Sequence, residues 1–435
     1  MKKSTSDVME KYKKYIMTSC VKKLEPIVLV EGRGATVKDI EGKEYIDCWS
    51  GISVVNAGHC NPQVVKAATK QAEQLIHVCS YVYHAVPPAE LAAKLAQIVP
   101  GKLQRSFFGN SGAEAVECAL KIARKFTKKH ELIALMASFH GRTLGTLSVT
   151  GQASRRHYSM GPYLSGVSFV PPPYCYRCFL GQTYPNCGFQ CVKMIEDTIT
   201  YSTSNCVAAF IAEPVLGEGG IIVPPKEYFK EVKKVLDKHG ILFIDDEVQT
   251  GFARTGKMFG IEHYGVDPDV VTMAKGIADG FPLGACTARD DIGNAFEPGD
   301  HLSTFGGNPV SCAAALANIE FMQKEKLSQQ AEEKGRYLMK RLNELKEKYS
   351  LIGETRGKGL LIGVELVKDQ KKKTPAAEET VAIRDMCREK GILLGHGGIK
   401  GNVLRIQPPL VIDKQQINKI AQALDESFKA VKKTV

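Results

Sequence analysis

The chain has 435 residues, 58 Lys+Arg against 47 Asp+Glu, and a net charge of +11. Hydrophobic residues make up 44% and charged residues 24%, which argues against a disordered chain, a collagen or a membrane protein. The length exceeds what one small core can organise, so a large and a small domain are expected.

The basic residues are dispersed. They sit at the ends (Lys2, Lys3, Lys432, Lys433) and in short runs such as Lys371, Lys372 and Lys373, without interleaved aromatics. Such a surface suits small anions and not a nucleic-acid site. The opening MKKSTSDVMEKYKKYI is charged throughout and lacks the apolar core of an export signal. No apolar run approaches membrane-spanning length. The 13 cysteines, an odd number, read as reduced thiols of a cytoplasmic protein.

In chain order, residues 24–60 alternate apolar and polar positions between glycines, the pattern of short strands and turns. Helices follow in NPQVVKAATKQAEQLIH and PPAELAAKLAQIVPG, each with a proline near its start. RSFFGN reads as a strand leading into the helix SGAEAVECALKIARKFTKKH. ELIALMASF and CVAAFIAEPV are strands. The helix PKEYFKEVKKVLDKHG and the strands ILFIDDEV and VVTMAKG complete the middle. Strands alternating with helices predict a mainly parallel sheet covered on both faces. From about 310 a long helical tract (SCAAALANIEFMQKEKLSQQAEEKGRYLMKRLNELKEKY) precedes strands, a charged helix, the strand NVLRIQPPLVI and a closing helix. The predicted fold class is α/β: a large domain with a parallel sheet, and a smaller α+β domain. The expected division is 1–60 as part of the small domain, 61–314 as the large domain, and 315–435 as the rest of the small one.

In open parallel sheets, function gathers at the carboxyl ends of strands. Lys275 follows VVTMA, where desolvation disfavours its ammonium and suits a Schiff-base amine. Asp246 ends ILFIDD, and a carboxylate at that depth calls for a cation. A pyridinium nitrogen would serve, as would a salt bridge or a helix cap. Asp245 is adjacent, so the assignment depends on strand register. In FGNSGAEA, Ser111 and Glu114 have the spacing of a capping box. The same helix start, with the Ser111 hydroxyl, offers a phosphate site. Phe139 ends a strand as a core residue or a stacking ring, and His140 and Arg142 follow it. Arg142 and Arg405 are candidates for carboxylates; an ordinary ion pair is the other reading of Arg405. Cys175, Cys178, Cys187 and Cys191 form a CxxC and a CxxxC within PYCYRCFLGQTYPNCGFQC. That cluster reads either as a zinc site or as a packed surface loop. No other metal site is expected.

The stretch ILFIDDEVQTGFARTGKMFGIEHYGVDPDVVTMAKGIADGFPLGA resembles the cofactor-lysine signature of class III pyridoxal-phosphate aminotransferases. NSGAEA, SFHGRT, EPVLGEGG, TFGGNP and LRIQPPL follow in the order of that family, so the resemblance covers about residues 24–430. It is similar above all to the 4-aminobutyrate and other ω-amino-acid members. The resemblance implies a fold-type I enzyme using pyridoxal 5′-phosphate. Lys275 would form the Schiff base and act as general base and acid. Asp246 would bind the pyridine nitrogen, and Gln249 would donate to the phenolic oxygen. Phe139 and Val248 would sandwich the ring, with His140 beside it. Ser111 and Gly112 would hold the phosphate. Thr304 would reach the phosphate of the other subunit's cofactor, which implies a homodimer with shared sites, or a tetramer. Arg405 would bind the α-carboxylate of a keto acid, with Glu218 neutralising it when an ω-amine is bound. Arg142 would bind a distal carboxylate, Ile52 would line the substrate pocket, and Glu213 would support the network near the ring. Asp245 and Asp279 stand where such chains usually carry small residues.

The expected reaction is transfer of an amino group from an ω-amino acid, 4-aminobutyrate first, to 2-oxoglutarate or pyruvate. Alternatives are another donor (N-acetylornithine, ornithine, taurine, 5-aminovalerate, β-alanine), or an amino-acid racemase or epimerase on the same fold. A protein that keeps the fold only for binding would not need Lys275.

Overall fold

The computed structural model describes residues 4–17, 19 and 24–432, with the backbone alone at 432. The terminal charges at Lys2, Lys3 and Lys433 and the side chain of Lys432 lie outside the described residues. Two seven-stranded sheets organise the described residues. The strands are β1 (Leu29–Arg33), β2 (Thr36–Asp39), β3 (Glu44–Cys48), β4 (Leu103–Gly109), β5 (Glu131–Leu135), β6 (Val167–Val170) and β7 (Val207–Ala212). Then come β8 (Leu242–Asp246), β9 (Val270–Met273), β10 (Gly284–Arg289), β11 (Ile352–Lys358), β12 (Leu361–Leu366), β13 (Ile392–Gly397) and β14 (Val403–Ile406).

One sheet runs β4-β10-β9-β8-β7-β5-β6. Its strands β9, β8, β7, β5 and β6 pair in parallel, and β10 runs antiparallel to both of its neighbours. Alternate residues of each strand enter different cores, as the pleat requires. Leu132, Ala134, Ala209 and Ile211 pack on the helix Gly112–Thr127 through Val116, Ala119 and Ala123. Ile133, Leu135, Phe210 and Phe243 pack on the helices Gln190–Ser202 and Tyr228–His239 through Ile195, Ile199, Phe229 and Leu236. With both faces covered, β7 (VAAFIA) is buried along its whole length.

The other sheet runs β1-β2-β3-β13-β14-β12-β11. Strands from the chain's beginning meet strands from its end where β3 pairs in parallel with β13, Ile46 opposite Ile392. This sheet packs Cys48, Ile362, Val364 and Ile406 with Leu338, Leu342, Leu424 and Phe428 of the late helices.

Three details add to or differ from the expectations. The long helical tract is made of two helices, Pro309–Lys324 and Leu327–Lys348, because Lys326 takes a left-handed conformation (φ 52°) that an α-helix does not accommodate. The opening charged stretch contains a helix, Thr5–Tyr15, started by Ser4. The capping box at Ser111 is half made: the Ser111 hydroxyl accepts from Glu114 N–H at 3.2 Å. The Glu114 carboxylate, however, reaches one residue further back and accepts from Asn110 N–H at 2.5 Å.

Candidate active site

The ends of β4, β5, β7, β8 and β9 converge on a cavity of about 330 Å³. Ser111, Gly112, Phe139, His140, Glu213, Asp246, Val248, Gln249 and Lys275 all line it.

Register settles the two adjacent acids. Asp245 pairs with Val271 and Asp246 with Thr272 across β8 and β9, so they point to opposite faces. Asp246 faces the cavity. Its Oδ2 accepts from His140 Nδ1 at 2.6 Å, and its Oδ1 accepts from Val248 N–H and Thr272 Oγ1, both at 3.1 Å. These contacts assign the Nδ1–H tautomer to His140. Asp245 is buried on the other face beside Glu247, and burial holds its carboxyl well above the ordinary value. It therefore adds no second anion to the cavity. Asp279 accepts from Ala57 N–H at 2.9 Å and is not itself a lining residue, although Gly280 beside it is.

Lys275 follows β9 with φ 48°, a backbone conformation rare outside glycine. Burial pulls its amine below the ordinary lysine value, opposed by the carboxylate of Glu218. Glu213 is buried at the end of β7 and receives Phe139 N–H and Gly217 N–H, each at 2.9 Å. It fixes the Phe139 loop and the turn that carries Glu218. Burial pushes its own carboxyl up to about 7.

Arg405, on β14, is fully buried and pairs with Glu218 Oε1 at 2.6 Å. Its Nη2 donates to Gln249 Oε1 at 2.9 Å, and Gln407 Nε2 donates to the same oxygen at 3.0 Å. The amide Nε2 of Gln249 is left to donate. Burial opposes ionisation of Glu218, but Arg405 and Lys275 outweigh it and its carboxyl sits below the ordinary value.

Besides Glu218 and Arg405, three expected residues stand outside this lining. Arg142 is exposed, its guanidinium 5.5 Å from the Phe139 ring centroid. Ile52 is 36% exposed in a left-handed turn, φ 70°. Thr304 is exposed in the loop before the helix Pro309–Lys324. Among the described residues, no three His, Cys, Asp or Glu side chains are arranged to hold a metal ion. The zinc reading of Cys175, Cys178, Cys187 and Cys191 therefore gains no geometric support.

The sequence reading passed over Thr272 and Gln407, which brace Asp246 and Gln249. It also passed over Arg155, whose Nη2 lies 4.0 Å from Glu218 Oε2. The only signal for Arg155 was a doubled arginine in the loop GQASRRH.

These groups fit a pyridoxal phosphate. A lysine amine and a hydrogen-bonded carboxylate lie on one cavity with a helix start, whose first N–H groups lack intrahelical partners. The backbone is bare at that start: a Cβ on Gly112 would meet Val248 Cγ1 at 2.9 Å, and one on Gly284 would meet Ser111 O at 2.1 Å. Fold and site together define a pyridoxal-phosphate enzyme of fold type I.

The aminotransferase class-III family matches residues 18–428. The chain is 45% identical over 420 residues to an acetylornithine aminotransferase of Methanosarcina mazei, covering 97% of this chain and 96% of that one. It is 42% identical over 426 residues to a leucine/methionine racemase of Thermococcus litoralis, covering 98% and 95%. A PLP-bound amine transaminase from an uncultivated Pseudomonas species superposes with a TM-score of 0.89 at 33% identity, covering 96% and 98%. The chain belongs to the class-III aminotransferases, enzymes that depend on pyridoxal phosphate and act on a small amino donor and a keto acid.

Proposed function

We propose that the enzyme takes the terminal amine of an ω-amino acid, 4-aminobutyrate first, and passes it to 2-oxoglutarate or pyruvate. The Arg405–Glu218 pair carries this reading. A ping-pong enzyme of this kind accepts a donor without an α-carboxylate and then an acid with one. A buried guanidinium needs an anion in the first case and must be free in the second. Glu218 supplies that anion from a turn that Glu213 holds in place.

Pyridoxal phosphate, when bound, supplies an aldehyde for the amine and a ring that accepts the electrons of the breaking C–H bond. Lys275 would hold the aldehyde and would carry the proton at Nζ. Asp246, braced by His140 and Thr272, keeps the pyridine nitrogen protonated. Gln249 donates through Nε2 to the phenolic oxygen. Phe139 and Val248 enclose the ring. Ser111 and Gly112 hold the phosphate, and Thr304 of the partner subunit completes that contact. Arg142, at the rim, takes the distal carboxylate, and Ile52 borders the substrate path.

A homodimer goes with this assignment. Leu302 (55% exposed), Phe305 (60%) and Ile76 (65%) lie near Thr304. The patch is continuous: His77 and Phe305 have ring centroids 5.1 Å apart, and Asn308 donates to Ile76 O at 3.0 Å. Exposed apolar surface of this kind calls for a cover. Light scattering of the holoenzyme is expected to give twice the chain mass; a monomer would remove Thr304 from the site.

The test of the reaction is the visible spectrum of the holoenzyme mixed with 4-aminobutyrate and no keto acid. Bleaching of the yellow band to the pyridoxamine form is expected. N-acetylornithine belongs in the same experiment, because its reacting amine is also terminal and the archaeal relative is named for it. Bleaching by N-acetylornithine alone would change the donor and keep the reaction. A racemase handles an α-carboxylate in both directions and has less use for Glu218. Inversion of leucine with solvent deuterium uptake and no keto acid would establish that reading instead.

A further inference from the structure

Glu218 cannot leave Arg405 without a destination. It is largely buried, with 17% of its side chain exposed, and a carboxylate stripped of its cation there is costly. Besides Arg405, the cations Lys275 and Arg155 act on it. Lys275 is committed to the cofactor. Arg155 Nη2 stands 4.0 Å from Oε2, the oxygen that Arg405 does not hold. That distance is too long for a hydrogen bond and short enough for attraction.

Arg155 is also aimed. It closes a short helical turn, Ala153–Arg155, and its Nε donates to Gln152 Oε1 at 3.4 Å. Gln152 in turn donates from Nε2 to Ala137 O at 3.3 Å, in the loop that carries Phe139 and His140. The arginine is thus tethered to the wall of the cavity with its other nitrogens free to swing, and 34% of its side chain is exposed.

We propose that Arg155 is the receiving partner of Glu218: when a substrate α-carboxylate takes Arg405, the Glu218 side chain turns to Arg155. Arg155 is then a positioning residue that sets affinity for α-carboxylates without touching them. No bond is made or broken; one ion pair is exchanged for two. The inference rests on the Arg405–Glu218 reading above.

The test compares wild type, Arg155→Met and Arg155→Lys in two measurements. The first is the pair of half-reactions by stopped-flow absorbance. KM for the keto acid is expected to rise roughly tenfold in Arg155→Met, the size of one charge-assisted contact. The donor half-reaction is expected to lose far less, and Arg155→Lys to recover most of the difference. The second is calorimetric binding of glutarate to the holoenzyme, which needs no amino donor. A dicarboxylate must also displace Glu218, so Arg155→Met is expected to bind it about tenfold more weakly. Equal losses in both half-reactions, or glutarate affinity unchanged in Arg155→Met, would overturn the proposal. A wild type that binds no glutarate would overturn it too. Failure of 4-aminobutyrate alone would count only against the donor, because the glutarate measurement does not use it.

Discussion

Asp279 is a carboxyl group held mainly by one backbone donor, Ala57 N–H, with Arg254 and His59 farther off. Burial pushes it up to about 7 from an ordinary 3.8. The folded chain therefore keeps a proton that the unfolded chain releases. The stability this gives is complete below about pH 4 and falls as pH rises through 7, by roughly 1.4 kcal/mol per pH unit within that window. Asn keeps an oxygen to accept from Ala57 and cannot ionise. Asp279→Asn is expected to match wild type near pH 4 and to exceed it in urea midpoint at pH 8. Parallel curves at the two pH values would show that Asp279 ionises normally. Asp245 has a raised carboxyl as well, yet it shares its buried space with Glu247. A single substitution there would report on two acids at once.

At the scale of elements, the helix start at Ser111 depends on a bare strand beside it. Gly284 opens β10 opposite Gly109 of β4, and a Cβ on it would fall 2.1 Å from Ser111 O and 2.7 Å from Ser111 C. Those are backbone atoms and have no rotamer by which to yield. Gly284→Ala is expected to destabilise the fold by about 1–3 kcal/mol. It should also weaken cofactor binding by displacing the phosphate end, read by thermal unfolding and by titration of the apoenzyme with pyridoxal phosphate. The same strand shows what a sequence conceals. β7, β8 and β9 are legible because strands buried on both faces are runs of apolar residues. β10 (GACTAR) has small and polar residues and no period, so nothing announced it. The helix break at Lys326 was hidden because apolar spacing continues on both sides of it. Asp246 and Lys275 were legible because strand ends of a parallel sheet collect functional groups. Arg155 lies in a loop, and its approach to Glu218 is fixed only by tertiary packing.

Over the whole molecule, the cysteine-bearing segment ties the two sheets together. Tyr174 and Arg177 both contact the carboxylate of Glu365, a fully buried residue on β12. Arg356 of β11 donates to the same carboxylate at 2.7 Å. Arg356 also holds Gly220 O at 2.6 Å and Ile221 O at 3.0 Å, in the turn that carries Glu218. One carboxylate thus joins the segment after β6, the second sheet and the substrate turn. Removing its charge leaves two guanidinium groups facing a neutral amide. Glu365→Gln is expected to destabilise the protein by roughly 3 kcal/mol, as for other broken buried pairs. A structural loss elsewhere would do that as well, so the discriminating readout is local. Arg177 is a trypsin site sheltered by Glu365, and in Glu365→Gln cleavage after Arg177 is expected to precede every other cut. The keto-acid half-reaction is expected to slow more than the donor half-reaction, because Arg356 no longer steadies the Glu218 turn. Unchanged tryptic order with lowered stability would mean that the segment is held by its apolar contacts, Tyr176 and Phe189 against the core, and not by this carboxylate.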